Sequence, residues 1–347
     1  MEASKKMAYV RNRDGVTTYI SKNAVHSVLV DGKDTDDKFS VIETKAETGS
    51  NMPWHLHREQ DETFYVLEGH VEFYIGGRSF MAVKGSFIFV PKGIAHRYKV
   101  TSDATRILNS YYPAGFERVI TKNFTEEASF DEAKASEEPE WLRISARQPR
   151  YISLVREDEA EKPYVGEVQP FISHRESAPP MWGLGILWVV IANAEKTGGS
   201  NSFIDELIPR GPSASPHIHK AAEEIFYIID GEMTFFAGGD WAPVTAKTND
   251  LVVVPRGTQH AFQIDSPTVH LVNIYTPAGF EYIIERTSYP ATAMTLQPKD
   301  MPPKDQNDTM SAFETVPKEF PAALTTPIPG SAVDNKQVIE VFHLNDY

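Results

Sequence analysis

The feature that most restricts how this chain can fold is a long internal repeat. The stretch PWHLHREQDETFYVLEG, Pro53 to Gly69, returns as SPHIHKAAEEIFYIIDG, Ser215 to Gly231, 162 residues later. Downstream, VPKGIAHRY from Val90 is matched by VPRGTQHAF from Val254, and YYPAGFERVI from Tyr111 by YTPAGFEYII from Tyr275, both at an offset of 164. Such a period is too long for a solenoid unit and suits a whole domain, so the sequence describes one domain present twice.

A chain of 347 residues has room for two domains with separate cores. The repeats place an N-terminal domain at 1–120, an acidic, partly helical linker at 121–149, a second domain at 150–290 and a Pro-rich tail at 291–347. Helix-forming composition in the linker centres on Phe130 to Ser136, and VIEVFHL near the end of the tail reads as a strand or docking segment. Within each half, short alternating runs such as FYVLEG, HVEFYIGG and SFIFVPKG, then FYIIDG, EMTFFAGG and LVVVPRG, are punctuated by glycines. Gly69, Gly76, Gly77, Gly231, Gly238 and Gly239 fall where hairpin turns need positive φ. The pattern predicts an all-β chain with two tandem barrels or double sheets of jelly-roll type.

Side chains two apart on a strand point the same way, so His55 and His57 share one face, as do His217 and His219. A four-residue gap then lets Glu62, or Glu224, enter on the next strand toward the same interior. His96 and His260 follow, each after a Pro-x-Gly turn. The chain has no cysteine, so any metal must rest on nitrogen and oxygen. Three imidazoles and a carboxylate suit a divalent first-row ion, Fe, Mn, Ni, Co or Cu, with up to two per chain. A lone H-x-H motif is commonly a pair of packing residues; the full set of four at nearly equal spacing, twice, argues for metal.

These residues carry a resemblance. Gly49, His55, His57, Glu62 and Gly69, then Gly211, His217, His219, Glu224 and Gly231, resemble the first cupin motif, G(x5)HxH(x4)E(x6)G. Gly85, Pro91, Gly93 and His96, then Pro255, Gly257 and His260, resemble the second, G(x5)PxG(x2)H(x3)N. Asn249 replaces that motif's glycine in the second copy, and Val100 and Ile264 replace its final Asn. Asn tolerates left-handed backbone, and the last position is not a ligand in the family pattern. The resemblance implies two tandem cupin domains.

Cupin barrels host many chemistries, so function must be read from the site. Alternation inward from the ligands nominates Phe64, Val66 and Tyr98 as pocket lining in the first half, and Phe226, Ile228 and Phe262 in the second; Trp54 should face outward. Bicupin oxalate decarboxylases carry an arginine three residues before the first ligand histidine. Met52 and Ala214 stand there, and a greasy pocket without that cation would desolvate a small dianion uncompensated. The four-residue spacing followed by ETFYVLEG is similar to quercetin 2,3-dioxygenases and their relatives. That resemblance implies a dioxygenase acting on a flavonol-like or other aromatic, enolic substrate with O2, in which Glu62 or Glu224 takes the substrate's hydroxyl proton. A cupin isomerase, cyclase or decarboxylase, or a non-catalytic metal- and ligand-binding bicupin, is the alternative. The sequence does not rank the two sites.

A formal net charge of -14 argues against nucleic acid and anionic lipid as partners. No apolar run is long enough to span a membrane and the N-terminus has no signal-peptide pattern, so a cytoplasmic protein is expected. A homodimer is compatible with this reading. The repeated PAGFE, with Glu117 and Glu281, reads as barrel closure.

Overall fold

The computed structural model describes residues 8–127, 140–162, 164–238, 242–301, 313–317 and 337–341. Among these, no helix is long and apolar enough to cross a membrane. The chain forms two compact units, one of Arg13–Arg175 and one of Met1–Asn12 with Glu176–Tyr347.

The first unit is a jelly roll of two antiparallel sheets. The larger has eight strands in the order Thr125–Glu127, Thr18–Ser21, Ala24–Val30, Ser40–Ala46, Thr105–Tyr112, Asp61–Glu68, Ser86–Val90, Phe171–His174. The smaller runs Ser153–Leu154, Asn51–Leu56, His96–Val100, His70–Ile75, Arg78–Val83. Alternation drives the closure: on Asp61–Glu68, Phe64 and Val66 are fully buried with Phe73, Ile88 and Ile107 in one apolar cluster. The second unit repeats the plan in one continuous sheet, because Ser202–His219 and His260–Thr276 run unbroken through positions where the first unit's strands stop. Register shifts at Pro209/Gly211 let the long strand bend instead.

Two features of the repeated motif explain this geometry. Gly69 has φ +80° and Gly231 +106°, and an added Cβ would meet Thr105 Oγ1 at 2.4 Å or the Thr268 carbonyl oxygen at 2.6 Å, so no side chain fits the turn. In the Pro-x-Gly turns, the Gly93 amide donates to the His57 carbonyl and the Gly257 amide to that of His219, each at 2.7 Å, which fixes the ligand strands. Asn249, at φ 72°, adopts the left-handed backbone that Gly85 adopts at 86°.

The unit boundaries differ from those read in the sequence. Residues 150–175 belong with the first unit, where Ser153–Leu154 and Phe171–His174 add an edge strand to each sheet. Tyr9–Asn12 joins the second unit, antiparallel to Asp250–Val254. These edge strands lie outside the repeated segments and so carry no repeat signal. In the linker, Trp141–Arg147 is helical; the patch at Phe130 to Ser136 lies outside the described residues. So does most of the Pro-rich tail, but Gln337–Val341 is a strand, as VIEVFHL suggested. It pairs in parallel with the ligand strand, His217 opposite Ile339 and His219 opposite Val341. Glu117 and Glu281 close their barrels: the buried Glu117 carboxylate accepts from the Gly115 and Gly32 amides at 2.7 and 3.4 Å, and Glu281 from Gly279 and Ala194 at 2.9 and 2.6 Å.

Candidate metal centres

In each unit the sheets bring the four nominated side chains together. His55, His57, Glu62 and His96 are buried with one ligand atom each inside a 4.8 Å cluster, and His217, His219, Glu224 and His260 form its twin. His55 stands opposite His96 across one strand pair and His217 opposite His260 across the other, while Glu62 and Glu224 arrive from the facing strand.

The imidazoles are aimed. A carbonyl oxygen can only accept, so the Nδ1 atoms of His55, 2.8 Å from the Pro53 oxygen, and of His96, 3.0 Å from that of Ile94, carry protons. His57 Nδ1 likewise donates to the Tyr151 carbonyl and His260 Nδ1 to that of Thr258. Each Nε2 is thereby turned inward with its lone pair. Those lone pairs face other lone pairs: His57 and His96 Nε2 lie 3.0 and 2.8 Å from Glu62 Oε2, and His219 and His260 Nε2 lie 3.1 and 2.9 Å from Glu224 Oε2. His217 and His219 present Nε2 to Nε2 at 3.1 Å. Such contacts repel unless a cation, a proton in the metal-free protein or a metal ion in the loaded one, sits between them, and Glu224 Oε2 and His260 Nε2 are buried without a hydrogen-bond partner. The donor set fits a divalent transition metal, one in each unit.

The other carboxylate oxygen is held from behind. Tyr111 donates to Glu62 Oε1 at 2.6 Å and Asn109 Nδ2 at 3.2 Å; Tyr275 and Asn273 do the same for Glu224 at 2.6 and 3.0 Å. Phe116 stacks on Tyr111 at 4.9 Å and meets His57 edge-on at 5.2 Å, and Phe280 stacks on Tyr275 at 4.3 Å. Burial alone would raise the Glu62 carboxyl, but the imidazoles of His57 and His96 outweigh it and hold the group below the ordinary carboxylate range. Glu224 is held down in the same way by His219 and His260. Burial, with the charges of His96 and His57, pushes His55 well below the usual histidine value. These directions keep both carboxylates ionised and His55 neutral, as ligands must be.

A cavity reaches the first centre. It is lined by His55, Glu62, Asn109 and Tyr111, by Met52, Tyr98 and Phe116, and farther out by His26, Thr44, Phe124 and Trp141. Its closed part holds about 30 Å³, and it widens to solvent past the exposed Lys22, Gly49 and Asn51. Of the side chains nominated for this pocket, Tyr98 lines the cavity. Phe64 and Val66 instead pack in the core beneath the ligands, Phe64 6.3 Å from the His96 ring. In the second unit Phe226, Ile228 and Phe262 likewise belong to the apolar core. The physical reason is the narrowness of the barrel: inward positions deeper than the ligands fill it rather than lining space. Trp54 sits on the strand between His55 and Pro53 and is covered rather than open, with Tyr74 at 6.3 Å and the Arg97 guanidinium at 5.1 Å. The residues that reasoning from sequence missed are Asn109, Tyr111, Asn273 and Tyr275, marked by an N-x-Y that repeats at 164, and the cavity wall of His26, Thr44, Phe124 and Trp141, for which no motif exists.

Both units are cupin domains: residues 43–111 and 203–275 each match the family model described as Cupin domain, and the chain is a bicupin. Among individual proteins, it is 23% identical over 307 residues to quercetin 2,3-dioxygenase of Bacillus subtilis (strain 168), covering 80% of this chain and 85% of that protein. A shorter match, 31% over 97 residues, is to quercetin 2,3-dioxygenase of Aspergillus japonicus, covering 27% of this chain and 28% of the other. In structure it is similar to oxalate decarboxylase from Bacillus subtilis, with a TM-score of 0.56 at 15% identity over 80% of this chain and 78% of that one, a likeness of fold.

Proposed function

We propose that this bicupin is a metal-dependent dioxygenase that takes a flavonol-like or other aromatic, enolic substrate at the first centre. The observation that carries the reading is the cavity at His55 and Glu62, whose wall sets the ring and apolar side chains Met52, Tyr98, Phe116, Phe124 and Trp141 against about as much polar surface, from residues such as Ser21, His26 and Thr44. A surface of this kind favours an aromatic ligand and disfavours a small dianion, and Met52 stands where an anion-gripping arginine would be required. The similarity to a quercetin 2,3-dioxygenase over 80% of this chain supports the same class.

A divalent ion held by His55, His57, Glu62 and His96 would supply the positive charge that acidifies a hydroxyl brought to it and would serve as a site for oxygen chemistry. The chain supplies the rest. The ring side chains of the cavity wall orient an aromatic ligand with one oxygen directed at His55 and Glu62. Glu62, the carboxylate at the coordinated oxygen, accepts the hydroxyl proton, and Tyr111 and Asn109 keep it from turning away. Asn273 and Tyr275 hold Glu224 alike, so either centre can deprotonate a ligand that reaches it.

Oxygen uptake with a panel of flavonols and polyketide phenols tests the reading, with metal per chain measured on each sample. Glu62→Gln should lose at least about 100-fold in turnover, within the range general-base removal produces, while Glu224→Gln retains most of it. Full turnover in both variants would refute the base role. Conversion without oxygen uptake would instead favour an isomerase or decarboxylase, and no conversion at all a binding protein.

A further inference from the structure

The first cavity contains a polar element that metal ligation does not use. His26 is buried with Nε2 3.0 Å from Ser21 Oγ and Nδ1 3.0 Å from Thr44 Oγ1, and Phe124 packs against its ring at 5.3 Å. Ser21, His26 and Thr44 all line the cavity that His55 and Glu62 line. Burial lowers the His26 pKa to about 4, so the ring is neutral and one nitrogen donates while the other accepts. Whichever tautomer holds, the Thr44 hydroxyl keeps a free half. If Nδ1 donates to it, its own hydrogen is free to be given to a ligand; if it donates to Nδ1, its oxygen is free to accept. The chain can thus match either a hydroxyl or a carbonyl.

A histidine satisfied on both nitrogens is ordinarily a core residue. The internal repeat supplies the control. His26 pairs with Thr44 in the first unit, and Thr44 with Ile107 across the next strand. At the same register in the second unit Trp188 pairs with Glu206, and Glu206 with Leu271. Trp188 and Glu206 are both buried, so the barrel closes without a His–Thr pair at this level. The pair is therefore a property of the first cavity rather than a requirement of the fold.

We propose that the Ser21–His26–Thr44 chain is a specificity element of the first centre, with the Thr44 hydroxyl binding a second oxygen of the aromatic ligand whose first oxygen meets the metal. This rests on the functional reading above and narrows its substrate class to aromatics with two oxygens. His26 acts through Thr44 and is a positioning residue.

Phenol and resorcinol separate the possibilities, because resorcinol adds one hydroxyl that cannot close a chelate with the first on a single ion. Their affinities for the metal-loaded full chain would be measured by calorimetry and by tryptophan fluorescence, with loss of the signal in Trp141→Phe assigning it to this cavity. Resorcinol should bind about 5-fold more tightly than phenol, the effect of one hydrogen bond, and Thr44→Val should abolish that ratio with phenol affinity unchanged. His26→Phe should reduce the ratio in the same direction. An unchanged ratio in Thr44→Val, or equal weakening of both probes, overturns the inference and leaves the functional reading intact. Failure of the metal-loaded wild type to bind either probe removes both.

Discussion

Replacing Tyr111 by Phe tests whether the residues behind the ligands govern the metal. The hydroxyl is the only part lost: Phe fills the same space, and the stack on Phe116 at 4.9 Å is retained. What disappears is the 2.6 Å bond to Glu62 Oε1, which leaves that oxygen with Asn109 Nδ2 at 3.2 Å. The bond joins a buried hydroxyl to a buried carboxylate, a type that contributes roughly 1.5–3 kcal/mol, so the metal-free variant should unfold more easily by about that amount. Its larger consequence is orientation. With Oε1 released, the carboxylate can turn Oε2 away from the Nε2 atoms of His57 and His96, and loss of such outer partners typically weakens metal binding about 10- to 100-fold. Competition against a graded series of chelators, followed by ions retained per chain, reads this directly. Tyr111→Phe should release one ion at about 10- to 100-fold lower chelator strength while the second titrates as in wild type. Tyr275→Phe should do the reverse, and the double variant should combine the two effects, because the sites share no residues. Wild-type competition curves for both ions in Tyr111→Phe would show that Glu62 is positioned by something else.

Acidification should destabilise the metal-free protein through His26 before the carboxylates matter. Its folded pKa, about 4, lies below the ordinary 6.5, so between those values the unfolded chain binds a proton that the folded one refuses, and stability falls as pH falls. The His26 share is roughly 3 kcal/mol across that window; His55 and His219, also lowered, add to the fall, so His26→Gln should make it shallower without abolishing it in pH-dependent denaturant melts. Glu62 and Glu224, with depressed pKa values, lose their contribution only below the ordinary carboxylate range, so the windows separate. Two glycine substitutions calibrate the turns. Gly69→Ala meets Thr105 Oγ1 at 2.4 Å and its Cα at 2.9 Å, whereas Gly93→Ala, at φ +81°, meets open space. Gly93→Ala should therefore cost about 1 kcal/mol of left-handed strain and Gly69→Ala clearly more; equal unfolding midpoints for the two would disprove the steric account.

The ligand sets and the closing role of Glu117 and Glu281 were legible because duplication prints each motif twice. Asn249 could be read as a glycine substitute for a chemical reason, and its left-handed backbone bears that out. The cavity wall was not legible. Periodicity reports which face of a strand is inward, and Phe64, Val66, Phe226 and Ile228 are inward; it does not report depth, and depth decides whether an inward side chain lines space or fills it. His26, Phe124 and Trp141 reach the cavity from segments outside the repeated motifs, so no pattern in the chain links them to His55. The edge strands Ser153–Leu154 and Tyr9–Asn12 are short and irregular in sequence, and only pairing in three dimensions identifies them.

The strand Tyr9–Asn12 makes the duplicated halves unequal as independent products. A fragment of residues 13–175 keeps every strand of its two sheets. A fragment beginning at Glu176 lacks the strand that covers Asp250–Val254, whose sequence DLVVV is buried throughout and would present bare, β-branched backbone to its neighbours. Cut at the midpoint, the second piece should stick to itself unless the first dozen residues are grafted back onto it.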